Sequence, residues 1–271
     1  MKLSVFLHHV LEAGRQEGWT LPEALRWVQH LGISLVEIDG DAGEDWPSLK
    51  GQLKDAGLGV SSVYAMYDWS RNPADLRDFH LLKAAEALGS PLVMPIPGLY
   101  GEGSRAEQDA RFLEGMAALC AEAERRGLTP TMEDYDNVRS PIAVIAGMKR
   151  FTDAIPGLTV TLDTGNFLFS GEDVLEAQSV FSGRIAHAHL KDRLLTPPAK
   201  TPDHPGLSTP TGIVLWPCAV GGGCIPLGEV LRRLKASKYA GALTIEHFDV
   251  RCWRKTIEES AAWVKTAWEA A

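Results

Sequence analysis

The sequence predicts an α/β protein folded as a single (β/α)8 TIM barrel with a long Pro/Gly-rich loop after strand 7, and three observations carry that prediction. Short, β-rich apolar runs alternate with longer stretches of helical character, the mark of βαβ units wound around a parallel sheet. Eight such runs are present. The 271 residues shared among eight units give about 34 each, close to the ~30 of a compact βαβ repeat and the ~250 of a whole barrel. One barrel domain is therefore assigned to residues 1–271.

The expected strands are Leu3–Leu7, Ser34–Ile38, Gly59–Tyr64, Pro91–Ile96, Leu128–Glu133, Leu158–Asp163, Arg184–Leu190 and Ala242–Glu246. Helices are expected over Leu21–Leu31, Pro73–Leu88, Glu107–Arg126 and Val174–Phe181. Thr20, Pro22 and Glu23 make a capping-box start for the first of these, because Glu23 at the third helical position can reach back to the cap. Gly32, Gly57, Gly89 and Gly127 are placed as helix stops. The irregular stretch is Arg193–Pro226, which holds Pro197, Pro198, Pro202, Pro205, Pro210, Pro217 and the run Gly221-Gly222-Gly223. A loop of that length after the seventh strand is expected to lie over the C-terminal face, where barrel enzymes place their chemistry.

Composition narrows the partners. Thirty-five acidic and 27 basic residues give a net charge of −8, which disfavours nucleic acid, whose binding depends on Lys and Arg neutralising phosphates. With 45% hydrophobic and 23% charged residues, the composition is that of a soluble globular protein. No uninterrupted apolar run is long enough for a membrane span. Cys120, Cys218, Cys224 and Cys252 form no CxxC pair, which suits free thiols and a cytoplasmic location. Cys218 and Cys224 share one loop. Trp263 and Trp268 lie five apart, off a common helical face, so one is expected to be exposed and open to a second subunit of a homo-oligomer.

Four consecutive strands in the second half end in a metal-ligand type: Glu133 in TPTMEDYD, Asp163 in VTLDTGN, His189 in AHAHLKD and Glu246 in ALTIEHFD. Neighbouring strand ends surround one axis in a barrel, so these side chains converge. Strand alternation then puts Thr131, Thr161, Thr244 and His187 on the floor below them and turns Met132, Leu162 and Ile245 toward the helices. Three carboxylates held together repel unless a cation joins them. One divalent ion is expected, with Mn²⁺, Mg²⁺ or Co²⁺ matching one imidazole and three carboxylates best and Zn²⁺ also compatible.

These strand ends, with VGGGCIPLGEVLRRLKASKYAG ahead of the last one, resemble the sugar phosphate isomerase/epimerase family of xylose isomerase-like barrels, and the resemblance runs over essentially the whole chain. It implies that Glu133, Asp163, His189 and Glu246 hold one divalent metal and that Glu133 and Glu246 exchange protons with a small carbohydrate substrate. The chain departs from the branch of free-ketose 3-epimerases. Asn166 stands where that branch has a histidine, Arg139 where it has a second substrate-binding glutamate, and Leu195 where it has a substrate-binding arginine, with Arg193 nearby.

Further candidates come from position alone. Glu37 ends the second strand, His8 follows the first, and Lys191 follows His189; each is a candidate substrate ligand, alongside Asn166 and Arg193. Trp69, Tyr100 and Trp216 lie in loops where they either stack on a sugar or pack locally. Gly221-Gly222-Gly223 offers backbone amides to a phosphate or is simply a turn. The ligand set suits isomerisation or epimerisation of sugars or sugar phosphates through an enediolate. The same set also serves a dehydratase or lyase acting on a cyclic polyol ketone or dehydroshikimate-like acid, or a catalytically silent sugar-binding barrel.

Overall fold

The computed structural model describes residues 1–43, 45–197 and 206–271. Its strands are β1 (Lys2–Phe6), β2 (Leu35–Asp39), β3 (Gly59–Met66), β4 (Leu92–Ile96), β5 (Thr129–Met132), β6 (Thr159–Asp163), β7 (Ile185–Leu190), β8 (Arg193–Leu194), β9 (Leu207–Ser208), β10 (Val214–Pro217) and β11 (Ala242–Ile245). The helices are α1 (Leu7–Glu17), α2 (Leu21–His30), α3 (Trp46–Asp55), α4 (His80–Leu88), α5 (Arg105–Arg125), α6 (Ile145–Ala154), α7 (Asn166–Phe169), α8 (Val174–Val180), α9 (Leu227–Ala236) and α10 (Trp253–Ala270), with a 3₁₀ turn at Pro73–Arg77.

β1 to β7 and β11 close into a parallel barrel in the order β1-β11-β7-β6-β5-β4-β3-β2. The seam is the β1–β11 pair, with Lys2 opposite Ala242 and Val5 opposite Ile245. Val36, Ile38, Met132, Leu162 and Ile245 are buried between sheet and helices, while Ser4, Ser61, Thr131, Thr161 and Thr244 are buried within the barrel. The expected alternation thus places small hydroxyl side chains beneath the strand ends. No described helix is long and apolar enough to cross a membrane.

Local signals explain most boundaries. The Glu23 carboxylate accepts from the Thr20 backbone N–H at 2.8 Å and from its hydroxyl at 2.7 Å, which fixes the start of α2. Gly32, Gly57, Gly89 and Gly127 all take positive φ, between 71° and 79°, the left-handed conformation that ends a helix. The expected helix over Pro73–Leu88 is two elements. Asp78 has extended backbone and accepts from the His80 N–H at 2.9 Å, so it ends the 3₁₀ turn and starts α4.

The Pro/Gly-rich segment is not structureless. β8, β9 and β10 make a small antiparallel sheet in the order β8-β10-β9. Pro198, Pro202 and Pro205 of that segment lie outside the described residues. Trp263 and Trp268 are both half-buried, Trp268 beneath the Lys235 ammonium at 5.9 Å, so neither is the exposed ring that the spacing predicted.

Candidate metal centre

Glu133 and Glu246 directly follow β5 and β11, Asp163 ends β6, and His189 lies one residue inside the end of β7. Register brings them together. Asp163 and Thr244 both sit opposite His189, on its two neighbouring strands, and a bulge between Val160 and Thr161 sets the β6–β7 alignment. One ligand atom from each of Glu133, Asp163, His189 and Glu246 lies within 4.8 Å of the others. Beneath them, Thr131 Oγ1 lies 2.8 Å from Thr161 Oγ1 and Thr244 Oγ1 3.0 Å from His187 Nε2.

His189 is held between carboxylates on both sides. Its Nδ1 is 2.8 Å from Glu133 Oε1 and 3.2 Å from Glu246 Oε2, and its Nε2 is 3.0 Å from Glu37 Oε2. The same Glu37 oxygen lies 2.8 Å from His187 Nε2. Glu37 sits at a bulge in the β2–β3 pairing, a device that re-aims a side chain. Expected at the mouth as a sugar ligand, it is instead fully buried below the cluster, facing two imidazoles.

The electrostatics follow from this packing. Burial raises the Glu37 carboxyl, but the His189 and His187 imidazoles outweigh it and draw its pKa down to about 2. Burial pushes Asp163 well above the ordinary carboxyl range despite Lys191. Burial also raises Glu133. For Glu246 the burial penalty is overcome by Lys191 and His189, which hold it well below its usual value.

Lys191 is buried, and its Nζ lies 2.9 Å from Asn166 Oδ1 and 3.4 Å from Asp163 Oδ2 and pairs with Glu246 Oε1. Asn166 donates from its backbone to Asp163 Oδ1 at 2.6 Å and from Nδ2 to the Asp134 carbonyl at 3.0 Å. Its side chain therefore holds other site groups in place. Arg193 is buried, donates from Nη2 to Asp136 Oδ2 at 3.0 Å and lies 5.0 Å over the Phe248 ring, while its Nε and Nη1 have no hydrogen-bond partner. His8 is exposed and packs on Phe6, whose ring is 5.0 Å from that of His189.

Two groups near the cluster were not singled out from sequence. Asp134 is fully buried with neither carboxyl oxygen hydrogen-bonded, and burial and the adjacent Asp163 and Glu133 push its pKa well up. Tyr64 lies two residues inside the end of β3, where burial and the field of Asp39, Glu37, Glu246 and Glu133 raise its phenol. The MEDYD spacing marks Asp134 as acidic but not as buried.

The loop candidates resolve toward structure. Asp192 Oδ2 accepts from the N–H groups of Gly221 at 3.0 Å and Gly223 at 2.8 Å, and Oδ1 from Ile225 at 3.1 Å and Arg193 at 2.9 Å. The glycine run therefore cradles a carboxylate of the chain itself. Trp69 is buried against Tyr67 with its indole N–H on the Asp75 carbonyl, and Tyr100 pairs with Asp109. Cys218 and Cys224 are free thiols.

The four strand-end residues fit a divalent cation. Asp163 Oδ2 is buried without a hydrogen bond, and three carboxylates with one imidazole are hard donors suited to Mg²⁺, Mn²⁺ or a similar ion. A family model described as xylose isomerase-like TIM barrel matches residues 25–267. The chain belongs to that family. A search of curated proteins by sequence returns no match. Solved structures of similar fold include a probable 3-DHS dehydratase of Bacillus anthracis, with 13% identity, TM-score 0.72 and coverage of 98% of this chain and 99% of the other. A D-allulose 3-epimerase of Methylomonas sp. has 16% identity, TM-score 0.73 and 98% coverage of both chains. A 3-keto-D-glucoside 4-epimerase of E. coli has 17% identity, TM-score 0.70 and coverage of 90% and 94%. The protein thus shares the barrel fold of these structures.

Proposed function

We propose that this family member is a divalent-metal-dependent isomerase or epimerase of small sugars or sugar phosphates, working by proton transfer through an enediolate. The observation that carries the reading is the convergence of Glu133, Asp163, His189 and Glu246 within 4.8 Å. Those four residues would hold the ion. When bound, it supplies electrophilic stabilisation of the substrate carbonyl oxygen and of the negative charge that develops beside it.

The chain's own groups do the rest. Glu37 accepts the Nε2–H of His189, which leaves Nδ1, facing Glu133 and Glu246, as the nitrogen that would give up its proton to hold the ion. Glu133 and Glu246 enter from strands separated by β6 and β7, so they flank the space between them. One takes the proton from the carbon next to the carbonyl at a carboxylate oxygen, and the other returns it. Because the reaction is reversible, each serves both roles. Return to the neighbouring carbon isomerises; return to the opposite face epimerises. Arg193 Nε and Nη1, which have no hydrogen-bond partner, are the donors left for substrate oxygens.

The test is calorimetric binding of Mn²⁺ to chelator-stripped protein and to Asp163→Asn, followed by candidate sugars in heavy water. One ion per chain, lost or greatly weakened in the variant, with solvent deuterium entering the substrate C–H, supports the reading. Release of water from the substrate would assign a dehydratase instead, and tight sugar binding without exchange a silent barrel.

A further inference from the structure

The donors of the Lys191 ammonium all go to side chains of the chain itself. Its ammonium sits against two of the four metal-ligating side chains, Asp163 and Glu246, with Asn166 completing its donor set. The chain anchors it at both ends. Its backbone N–H donates to Thr164 Oγ1 at 2.8 Å, and the Thr164 hydroxyl donates to its carbonyl at 2.7 Å. The aliphatic stem crosses Gly165, where a Cβ would stand 2.8 Å from Lys191 Cγ and 3.1 Å from its Cδ. A side chain at 165 would push the stem aside.

We propose that Lys191 is a tethered monovalent cation that competes with the divalent ion for Asp163 and Glu246 and so sets how tightly the site holds its metal. This inference rests on the metal reading above. An ammonium beside an ion-binding carboxylate lowers the site's affinity by like-charge repulsion and by occupying an oxygen. In the ion's absence the same ammonium offsets the repulsion of the buried acids. Removing the charge therefore acts in opposite directions on metal affinity and on metal-free stability. A lysine that merely braced the ligands would, on removal, weaken both.

The experiment is Mn²⁺ calorimetry with thermal melts in chelator on the full chain, comparing wild type, Lys191→Met, Lys191→Gln and the charge-keeping Lys191→Arg, each checked for folding by circular dichroism. The expected result is at least tenfold tighter Mn²⁺ binding in the Met and Gln variants, a lower metal-free Tm, and affinity near wild type in Lys191→Arg. Equal or weaker binding in both neutral variants, with wild type binding normally, overturns the proposal and leaves the metal reading standing. Binding in the neutral variants but not in wild type supports the tethered cation and overturns metal dependence of the natural chain. No binding in any variant overturns both. If Lys191→Met fails to fold, Lys191→Gln, which keeps a neutral N–H donor near the end of the side chain, carries the comparison.

Discussion

Glu37 is fully buried, and one of its oxygens orients two imidazoles. Groups in this position behind a ligating histidine usually contribute 10–100-fold to metal affinity, so Glu37→Gln is expected to weaken Mn²⁺ binding by about that factor with the fold intact. Calorimetry checks it. Glu246→Gln is expected to lower turnover ~10²–10⁴-fold, the usual contribution of a general acid or base. A near-wild-type rate on an identified substrate would remove Glu246 from the chemistry. His9 is buried against Trp253 and His247, and burial draws its pKa well below the ordinary 6.5. The folded chain keeps it neutral while the unfolded chain protonates it below about 6.5, so its contribution to stability is full above that pH and falls as pH drops. His9→Gln should flatten the acid-side loss of stability by up to about 1.4 kcal/mol per pH unit, measured by denaturant titration at pH 6.5 and 5.

At the scale of elements, the Asp192 cradle holds β8 and the glycine turn together. Four backbone N–H groups converge on one buried carboxylate, and a Cβ at Gly223 would overlap Asp192 and the Arg193 carbonyl. Asp192→Ala leaves those donors without an acceptor and should cost about 3 kcal/mol in a denaturant melt, while a loss below about 0.5 kcal/mol would mean that the turn stands alone. The barrel strands were legible because short apolar runs alternate with longer helical stretches along the whole chain. Sequence reading missed α1, which follows β1 without a turn, so that Leu7-His8-His9-Val10 looks like more strand. Strands of two residues, β8 and β9, are too short for any periodicity to show. The four candidate ligands were legible because they repeat one position on successive strands. The inward role of Glu37 was not, since its imidazole partners lie 150 and 152 residues away along the chain.

Across the whole molecule, a divalent ion bound as proposed would link stability to the acid cluster. Asp134, Asp163 and Glu133 are buried together. A ligand that binds only the folded chain stabilises it by mass action, about 2.7 kcal/mol at a hundredfold excess over Kd. Chelator should therefore lower Tm, and Mn²⁺ restore it, in wild type but not in Asp163→Asn.

The seam between β1 and β11 has its own consequence, in time. The register sets Lys2 against Ala242, so the first strand made waits for the last. At the ~5–20 residues per second of synthesis, on the order of ten to fifty seconds pass between them. For that interval the nascent sheet carries two open edges, each a template for the wrong neighbour. The hazard in making this protein thus falls before release from the ribosome, when β1 through β7 exist without the strand that joins them.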